Sequence, residues 1–377
     1  MKTTRLYYQD SYLAEFSAHV VDRAEDGCRI YLDRTAFYPA SGGQPFDTGE
    51  IAGVAVVQVI DEDRRIAHLT SEPVETVQVE CRVDWGRRFD HMQQHTGQHL
   101  LSAVLSELYG LETVSFHLGC ETSTIDVEAP ALEADQLATV ERRANQRITE
   151  NLPVSVAFEE GTRRLVSIQG LDRNPCGGTH VRATGEIGLI LIRKLDKVRG
   201  NVRIEFLCGG RAVRRARSDF DALSRVAKVL SSPLDEAPAL VAAQRLSLEA
   251  SERARHRLGA ELARLRGWEL YQATAPGADG IRRAIQRRAS GPLDDESRAM
   301  AQGFTAQSKA VYILASDEPP AVLLAVSADA GIHAGDRLKS AIATAGGRGG
   351  GNALLAQGSA CTKEKLDVVL FGLSTQG

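Results

Sequence analysis

The first ninety residues alternate between apolar and polar positions in short runs. Residues 28–32 and 54–60 are rich in β-branched and apolar side chains, and turn-forming acidic or glycine clusters flank them at 25–27 and 61–63. Runs of this length, separated by turn residues, are typical of β-strands. We therefore predict a small β-barrel over residues 1–90.

A helical pattern follows the predicted barrel. Apolar residues recur at spacings of three and four between positions 100 and 108, which predicts an amphipathic helix. We expect Asp90 to cap its start and Gly110 to end it, which places the helix at 91–109. With the strands and the second helix predicted after it, this helix belongs to an α+β unit over residues 91–212.

The last part of the chain divides into a helical stretch and an α/β unit. Apolar stripes among arginine, glutamate and alanine predict a helical connector at 213–268. Short apolar strands at 310–315 and 321–326 predict a separate α/β unit at 269–377. Its glycine-rich segment at 346–352, taken alone, is either a phosphate cradle or a flexible loop. The predicted fold class is α+β.

Composition narrows the class of protein. The 377 residues are 43% hydrophobic and 25% charged, which is typical of a soluble chain with two or three cores. No stretch of membrane-spanning length is free of charge, so we expect no membrane association. The six cysteines show no disulfide framework, which favours a cytoplasmic location.

The formal net charge of −4 does not by itself favour a nucleic-acid partner. Between positions 193 and 217, however, nine basic residues stand against two acidic ones. A solvated helix face is the simpler interpretation of such a cluster. A phosphate-binding surface is the alternative, and motifs elsewhere in the chain decide between them.

Two short motifs carry candidate chemistry. His95 and His99 lie four residues apart, so both imidazoles project from one face of the predicted helix. Cys176 and His180 repeat this spacing about eighty residues later. A thiolate together with imidazoles favours zinc, and no carboxylate stands between the histidines as it does in the metalloprotease motif. We predict one zinc ion per chain, held by these four side chains.

The segments that contain these motifs, 87–105 and 174–180, closely resemble the editing domain shared by alanyl-tRNA synthetases and free-standing alanyl-tRNA editing proteins. Residues 35–51 and 203–212 agree with two further motifs of that family. The C-terminal glycine-rich segment resembles the DHH-associated domain at the end of alanyl-tRNA synthetases. The resemblance implies an editing core after the barrel, and a nucleic-acid-binding role for residues 269–377.

The resemblance also implies roles for individual residues. The glycine motif at 41–44 is expected to lie over the editing pocket and to meet the tRNA end. A polar residue on the strand after the first helix is expected to line the pocket. The expected catalytic residues are His117 and Gln44. The expected substrate contacts are Thr35, Ser41, Gly42, Gly43, Arg199 and Arg203, the last two as phosphate contacts.

The implied activity is hydrolysis, in trans, of the aminoacyl ester of tRNA(Ala) mischarged with serine or glycine. Zinc could activate a water molecule or position the substrate. One alternative is a non-catalytic tRNA-binding protein with a structural zinc, and another is the same chemistry on a different tRNA, such as Ser-tRNA(Thr). Exposed amphipathic helices often pair with a second copy, so a homodimer through the helical connector and the C-terminal domain is an open alternative to packing within the chain.

Overall fold

The computed structural model describes residues 2–159, 163–360 and 362–375. These residues divide into two compact units, Met1–Val229 and Leu230–Gly377. Among the described residues, unit 1 combines helices with several sheets and unit 2 combines helices with one five-stranded sheet, so the predicted α+β class is confirmed. Within the described residues, no helix is both long enough and apolar enough to cross a membrane.

The first part of unit 1 is rich in strands. In chain order these are β1 (Thr4–Arg5), β2 (Glu15–Arg23), β3 (Arg29–Leu32), β4 (Arg34–Thr35), β5 (Gly49–Ile51), β6 (Val54–Glu62), β7 (Arg65–Thr70) and β8 (Gln78–Val83). A closed barrel has the strand order β2-β3-β7-β6-β5-β8, and β1 pairs with β4 in parallel. Alternate side chains of a strand point to opposite faces, and those that point inward, such as Ile30, Val59 and Ile66, are fully buried.

Helix α1 (Trp85–Tyr109) follows the barrel directly. Asp84 caps it by accepting a hydrogen bond of 3.1 Å from a backbone N–H of the first turn, so the helix begins before the predicted start. Asp90 was expected to be the cap, but it lies inside the helix and its carboxylate accepts from Arg211. The predicted end is confirmed, because Gly110 adopts the left-handed conformation with φ of 63°.

The remaining elements of unit 1 form a helix-on-sheet core. They are β9 (Thr113–Leu118), β10 (Ser123–Val127), α2 (Ala134–Thr149), β11 (Val154–Glu159), β12 (Arg163–Ile168), β13 (Asp172–Pro175), β14 (Ile190–Val198), β15 (Asn201–Cys208) and α3 (Gly209–Leu230). One sheet has the order β14-β15-β10-β9 and another the order β11-β12-β13. Aliphatic residues such as Leu101, Ile125 and Ile204 pack between α1, α2 and the first sheet. Helix α1 also contacts β13, so it lies between elements of both sheets.

A fully buried ion pair joins α1 to the barrel. The guanidinium of Arg88 lies 3.0 Å from the Asp47 carboxylate, measured from Nε to Oδ2. It also donates to the carbonyls of Ser11 and Ala36. Both charged side chains are 0% exposed. Because a buried charge without its partner is costly, this pair holds the first turn of α1 on the barrel.

Unit 2 contains α4 (Ala237–Ala273), β16 (Arg282–Arg288), α5 (Asp295–Thr305), β17 (Ala310–Asp317), β18 (Pro320–Val326), α6 (Ala334–Thr344), β19 (Arg348–Gly351), β20 (Leu355–Ser359) and α7 (Lys363–Thr375). Its sheet has the order β16-β17-β18-β20-β19, with β16 parallel to β17. The helices predicted at 213–268 correspond to α3 and most of α4.

The glycine-rich segment of unit 2 forms a β-hairpin, in which β19 pairs antiparallel with β20. A Cβ at Gly349 would lie 2.9 Å from Cδ1 of Ile342, and one at Gly358 would lie 2.1 Å from the same atom. The glycines therefore allow α6 to pack directly on the hairpin. This placement supports neither interpretation of the isolated segment, the phosphate cradle or the flexible loop.

Candidate metal centre

The predicted metal ligands meet at one point. The donor atoms of His95, His99, Cys176 and His180 all lie within 4.8 Å of one another. Sγ of Cys176 lies 3.4 Å from Nε2 of His95 and 3.2 Å from Nε2 of His180. Nitrogen and sulfur donors around a tetrahedral zinc ion are about 3.4–3.6 Å apart, given the usual bond lengths. The cluster can therefore hold a metal ion in tetrahedral coordination.

Two parts of the core bring these ligands together. The two histidines of α1 lie one helical turn apart and are buried. The other two ligands lie in the segment 176–180, directly after β13. Arg164 of β12 holds this segment, because its guanidinium donates to the carbonyls of Cys176 and Gly178 at 2.6 and 2.8 Å. The segment is thus fixed by its backbone, independently of a metal.

The Nδ1 atoms of all three imidazoles in the cluster face an oxygen atom, which leaves their Nε2 atoms for a metal. The pairs are His95 with Gln44 Oε1 at 2.9 Å, His99 with Asp172 Oδ2 at 2.8 Å and His180 with Thr96 Oγ1 at 3.2 Å. Metal-binding histidines usually have such an outer partner, which fixes the orientation and tautomer of the ring. The family resemblance implied a catalytic role for Gln44, not a contact with His95, and the sequence indicated neither of the other two partners.

Burial and neighbouring charges set the protonation of the cluster. Burial alone would raise the pKa of Cys176, but the nearby rings of His95 and His180 hold the pKa of this thiol well below its usual value. Burial lowers the pKa of His180 to about 3. Burial also opposes the charged form of His99, but hydrogen bonds to Asp172 and Cys176 outweigh it and raise the pKa of His99 to about 9. A metal ion that binds here would displace the proton of His99.

We expect Asp172→Asn to weaken zinc binding about 10- to 100-fold above pH 9, because the carboxylate orients His99 and adds negative charge to the site. At neutral pH the loss should be smaller. In the wild type His99 has a pKa of about 9, so at neutral pH a proton on its ring competes with the metal. Asp172→Asn lowers the pKa of His99 and so reduces this competition. Competition with a chelating dye at both pH values measures the two effects. An equal loss at both values would contradict this role of Asp172.

A cleft of about 700 Å³ opens beside two of the ligands, His99 and Cys176, with walls from α1, β9, α2 and β13. Gln98 lines it and is 5% exposed. Its Nε2 donates to Oγ of Ser102 at 3.0 Å, while its Oε1 has no hydrogen-bond partner among the described residues. Gln98, which lines the cleft, therefore carries a buried hydrogen-bond acceptor without a partner within the described ranges. Sequence reasoning missed Gln98, although it lies between the two histidines of the motif.

The glycine motif lies at the edge of the cleft. Ser41 and Gln44 exchange backbone hydrogen bonds of 3.2 and 3.0 Å, which closes a tight turn. Ser41, Gly42 and Gly43 are exposed, whereas Gln44 is 2% exposed. A Cβ at Gly43 would lie 2.7 Å from the ring of Phe116, which lines the cleft. The motif thus lies against a side chain that lines the cleft, and its contact with a substrate stays a prediction.

Two residues that were expected at the pocket lie elsewhere. Thr35 is 0% exposed inside the barrel, where its hydroxyl contacts His68 at 2.8 Å and accepts from the N–H of Phe37. His117 is exposed, and it lies on the opposite face of β9 from Phe116 because successive side chains of a strand alternate. These positions do not support pocket roles for Thr35 and His117.

The two arginines that were expected to bind phosphate differ in their surroundings. Arg203 makes two hydrogen bonds to the carboxylate of Asp126, of 2.6 and 2.8 Å. A bidentate pair of this kind leaves its guanidinium largely occupied. Two further arginines of the basic segment share Asp219, so the positive charge of this segment is partly compensated. Arg199 is exposed in the turn between β14 and β15 and remains a candidate.

Comparison with known proteins agrees with the motifs. Residues 164–205 match a family model described as the threonyl and alanyl tRNA synthetase second additional domain. The alanyl-tRNA editing protein Aarsd1 of Mus musculus is 36% identical over 245 residues, which cover 55% of this chain and 60% of that protein. The alanyl-tRNA editing protein AlaX-L of Pyrococcus horikoshii is 38% identical over 240 residues, which cover 56% and 59%.

A longer relative matches nearly the whole chain. The alanine–tRNA ligase of Pyrococcus abyssi is 30% identical over 390 residues, which cover 95% of this chain and 42% of the ligase. The crystal structure of the C-Ala domain from Aquifex aeolicus alanyl-tRNA synthetase is 23% identical, with a TM-score of 0.20 over 25% of this chain and 90% of its own; this likeness carries no conclusion about fold. The chain spans about 60% of the length of the editing proteins it matches. The resemblance to the alanyl-tRNA editing proteins that the sequence motifs indicated is thereby confirmed.

Proposed function

We propose that the protein hydrolyses the aminoacyl ester of mischarged tRNA(Ala) in trans. The observation that carries the proposal is the convergence of His95, His99, Cys176 and His180 at the side of a polar cleft. The likeness to proteins named for alanyl-tRNA editing supports the same activity. The described cysteines are free, which suits a cytoplasmic location; Cys361 lies outside the described residues.

We infer that the ion is zinc. A thiolate with three imidazoles favours zinc, whereas magnesium and calcium prefer oxygen ligands. When bound, zinc would supply a Lewis acid that polarises an ester carbonyl or lowers the pKa of a water molecule. No carboxylate base stands between His95 and His99, which favours positioning of the ester over activation of water. Four converging donors resemble a closed zinc site, so either role requires a fifth ligand position or the release of one ligand.

We propose that residues of the cleft select serine. A synthetase pocket built for alanine rejects serine by only about a hundredfold, because serine merely adds a hydroxyl. A second site that bonds this hydroxyl can select serine, since alanine leaves the acceptor unpaired. We assign this acceptor to Oε1 of Gln98, which is buried and has no partner in the described part of the chain. Glycine has no hydroxyl either, so this assignment favours Ser-tRNA(Ala) over Gly-tRNA(Ala).

Replacement of Gln98 by methionine keeps its size and removes the acceptor. We expect Gln98→Met to slow hydrolysis of Ser-tRNA(Ala) about 10- to 100-fold, which corresponds to one lost hydrogen bond of about 1–3 kcal/mol. Hydrolysis of Gly-tRNA(Ala) should change little, and the zinc content should stay the same. The ratio of the two deacylation rates is the decisive measurement. A ratio equal to that of the wild type would exclude Gln98 from the selection of serine.

The proposed function is tested with charged tRNAs compared side by side. We expect the zinc-loaded protein to deacylate Ser-tRNA(Ala) faster than Gly-tRNA(Ala), Ser-tRNA(Thr) and Ala-tRNA(Ala), and Cys176→Ala to be inactive. Preference for Ser-tRNA(Thr) would assign the same chemistry to another tRNA. Tight tRNA binding without hydrolysis of any of these substrates would favour the non-catalytic tRNA-binding alternative and overturn the proposal.

Residues 269–377 of unit 2 are assigned to tRNA binding as a further part of the proposal, with the DHH-associated domain as their predicted identity. Homodimer formation is the alternative role. The exposed apolar surface of α4 supports the homodimer: four of its leucines are between 59% and 61% exposed, namely Leu246, Leu248, Leu258 and Leu265. Sedimentation of the full chain with and without tRNA(Ala) distinguishes the two roles.

A further inference from the structure

We propose that Gln44 is a positioning residue that completes the metal centre from the barrel side. It does so by holding His95 in the tautomer whose Nε2 is free to bind a metal. The inference concerns the site of the proposed function and adds a residue, outside the four ligands, on which metal binding depends. Its basis is the geometry of three groups: Gln44, His95 and Thr179.

The orientation of the Gln44 carboxamide is set by Thr179. The backbone N–H of Thr179 can only donate, and it lies 3.0 Å from one end of the carboxamide. That end must therefore be the oxygen, Oε1. The other end, Nε2, donates to the hydroxyl of Thr179 at 2.8 Å. With Gln44 only 2% exposed, solvent does not compete for these bonds.

The same oxygen faces His95. Oε1 of Gln44 lies 2.9 Å from Nδ1 of His95. A carboxamide oxygen carries no hydrogen, so a bond between them requires the proton of the imidazole to be on Nδ1. The lone pair of the neutral ring is then on Nε2, which lies 3.4 Å from Sγ of Cys176. Gln44 thus selects the tautomer that points its free nitrogen at the cluster.

The loop that carries Gln44 is held on both sides. The hydroxyl of Tyr38 donates to the carbonyl of Ser41 at 3.0 Å, and the carbonyl of Gly43 accepts from the N–H of Leu118 at 3.2 Å. The exposed positions 41–43 lie directly before Gln44. A ligand that moves this turn must therefore move Gln44 and, through it, the ring of His95.

The origin of Gln44 distinguishes it from the other two outer partners. Thr96 lies on α1 and Asp172 on β13, so both belong to the core that carries the ligands. Gln44 instead belongs to the barrel part of unit 1, between β4 and β5. The barrel therefore contributes directly to the metal centre, in addition to carrying the turn at the edge of the cleft.

Two substitutions in the full chain separate the hydrogen bond from the shape of the side chain. Gln44→Met keeps the length and removes the acceptor, whereas Gln44→Glu keeps an acceptor for both His95 and the N–H of Thr179. We expect zinc affinity, measured by competition with a chelating dye, to fall about 10- to 100-fold in Gln44→Met and to be largely restored in Gln44→Glu. Ser41→Ala, in the same turn, should leave zinc affinity unchanged because Ser41 contacts the turn through its backbone.

Imidazole ¹⁵N spectra of the zinc-free protein report the tautomer itself. The wild type and Gln44→Glu should show His95 protonated at Nδ1, and Gln44→Met should shift it toward protonation at Nε2. A merely structural role of Gln44 would not produce this shift. Unchanged zinc affinity together with an unchanged His95 spectrum in Gln44→Met would overturn the proposal. None of these measurements uses tRNA, so their outcome is independent of whether the protein deacylates Ser-tRNA(Ala).

Discussion

Gly178→Ala is expected to abolish metal binding and, with it, deacylation. A Cβ at this position would lie 2.1 Å from Cε1 of His95, 2.3 Å from its Nδ1 and 2.9 Å from Oε1 of Gln44. Nonbonded heavy atoms prefer separations of about 3.5–4.0 Å, so the methyl group and the ring cannot both keep their places. The ring of His95 is 1% exposed, and any movement that relieves the clash removes Nε2 from the cluster.

Loss of a hydrogen-bond partner of a metal ligand lowers metal affinity by up to roughly 100-fold. We expect a larger loss of zinc affinity in Gly178→Ala, because the ligand His95 is itself displaced. Zinc content after purification and competition with a chelating dye measure it. Gly177→Ala is the matched control. The nearest atom to a Cβ there is the hydroxyl of Tyr8 at 3.7 Å, an ordinary contact, and neither glycine has a positive φ. Full zinc occupancy in Gly178→Ala would show that the segment 176–180 moves more freely than its hydrogen bonds to Arg164 indicate.

The second large effect concerns the attachment of α1 to the barrel. Asp47→Asn keeps the shape of the side chain but removes the charge that compensates Arg88, and both residues are 0% exposed. Breaking a buried ion pair from one side typically lowers the free energy of unfolding by about 3–5 kcal/mol. We expect a loss of this size for unit 1. Glu50→Gln breaks the exposed pair with Arg82 and should have little effect, because surface pairs are screened by solvent.

Denaturant unfolding can follow unit 1 by itself. The chain contains two tryptophans, Trp85 in α1 and Trp268 in α4. In a Trp268→Phe background the fluorescence of Trp85 reports unfolding at the start of α1, one turn from Arg88. Equal midpoints for Asp47→Asn and Glu50→Gln would contradict the role assigned to the buried pair. A large loss would also be expected to impair metal binding, because α1 carries His95 and His99.

Both effects have the same structural origin. The metal centre is assembled from a helix, from the segment after β13 and from a turn of the barrel, and each is held by buried polar contacts. Arg88 and Asp47 fix the helix, Arg164 fixes the segment, and Thr179 orients the carboxamide of Gln44. Buried polar groups of this kind are costly when left unpaired, so the positions of the ligands are maintained before a metal binds.

The four candidate ligands could be read from the sequence because their relation within each motif is local. Helical spacing of four residues places His95 and His99 on one face wherever the helix lies. The left-handed stop at Gly110 is local in the same way, since glycine adopts that conformation at low cost. The fold class followed from strand and helix periodicity, which local sequence also carries.

Other features were decided by tertiary contacts. Asp84 and Asp90 are both competent caps, and the pairing of Asp90 with Arg211, 121 residues away, helps place Asp90 inside the helix. A shift of one residue in the pairing of a strand moves every side chain to the opposite face. Which of Phe116 and His117 faces the cleft therefore depended on how β9 pairs with β10. A register irregularity between Asp126 and Val127 in that pairing could not be inferred from periodicity.

The partners that orient the imidazoles depended most on the tertiary structure. Gln44 is 51 residues from His95, and Asp172 is 73 residues from His99. No spacing rule joins positions so far apart on different elements, because their contact depends on how the barrel, α1 and β13 pack together. The sequence alone thus determined which side chains can bind a metal. The tertiary structure decided which atoms hold them in place, because those contacts exist only after long-range packing has formed.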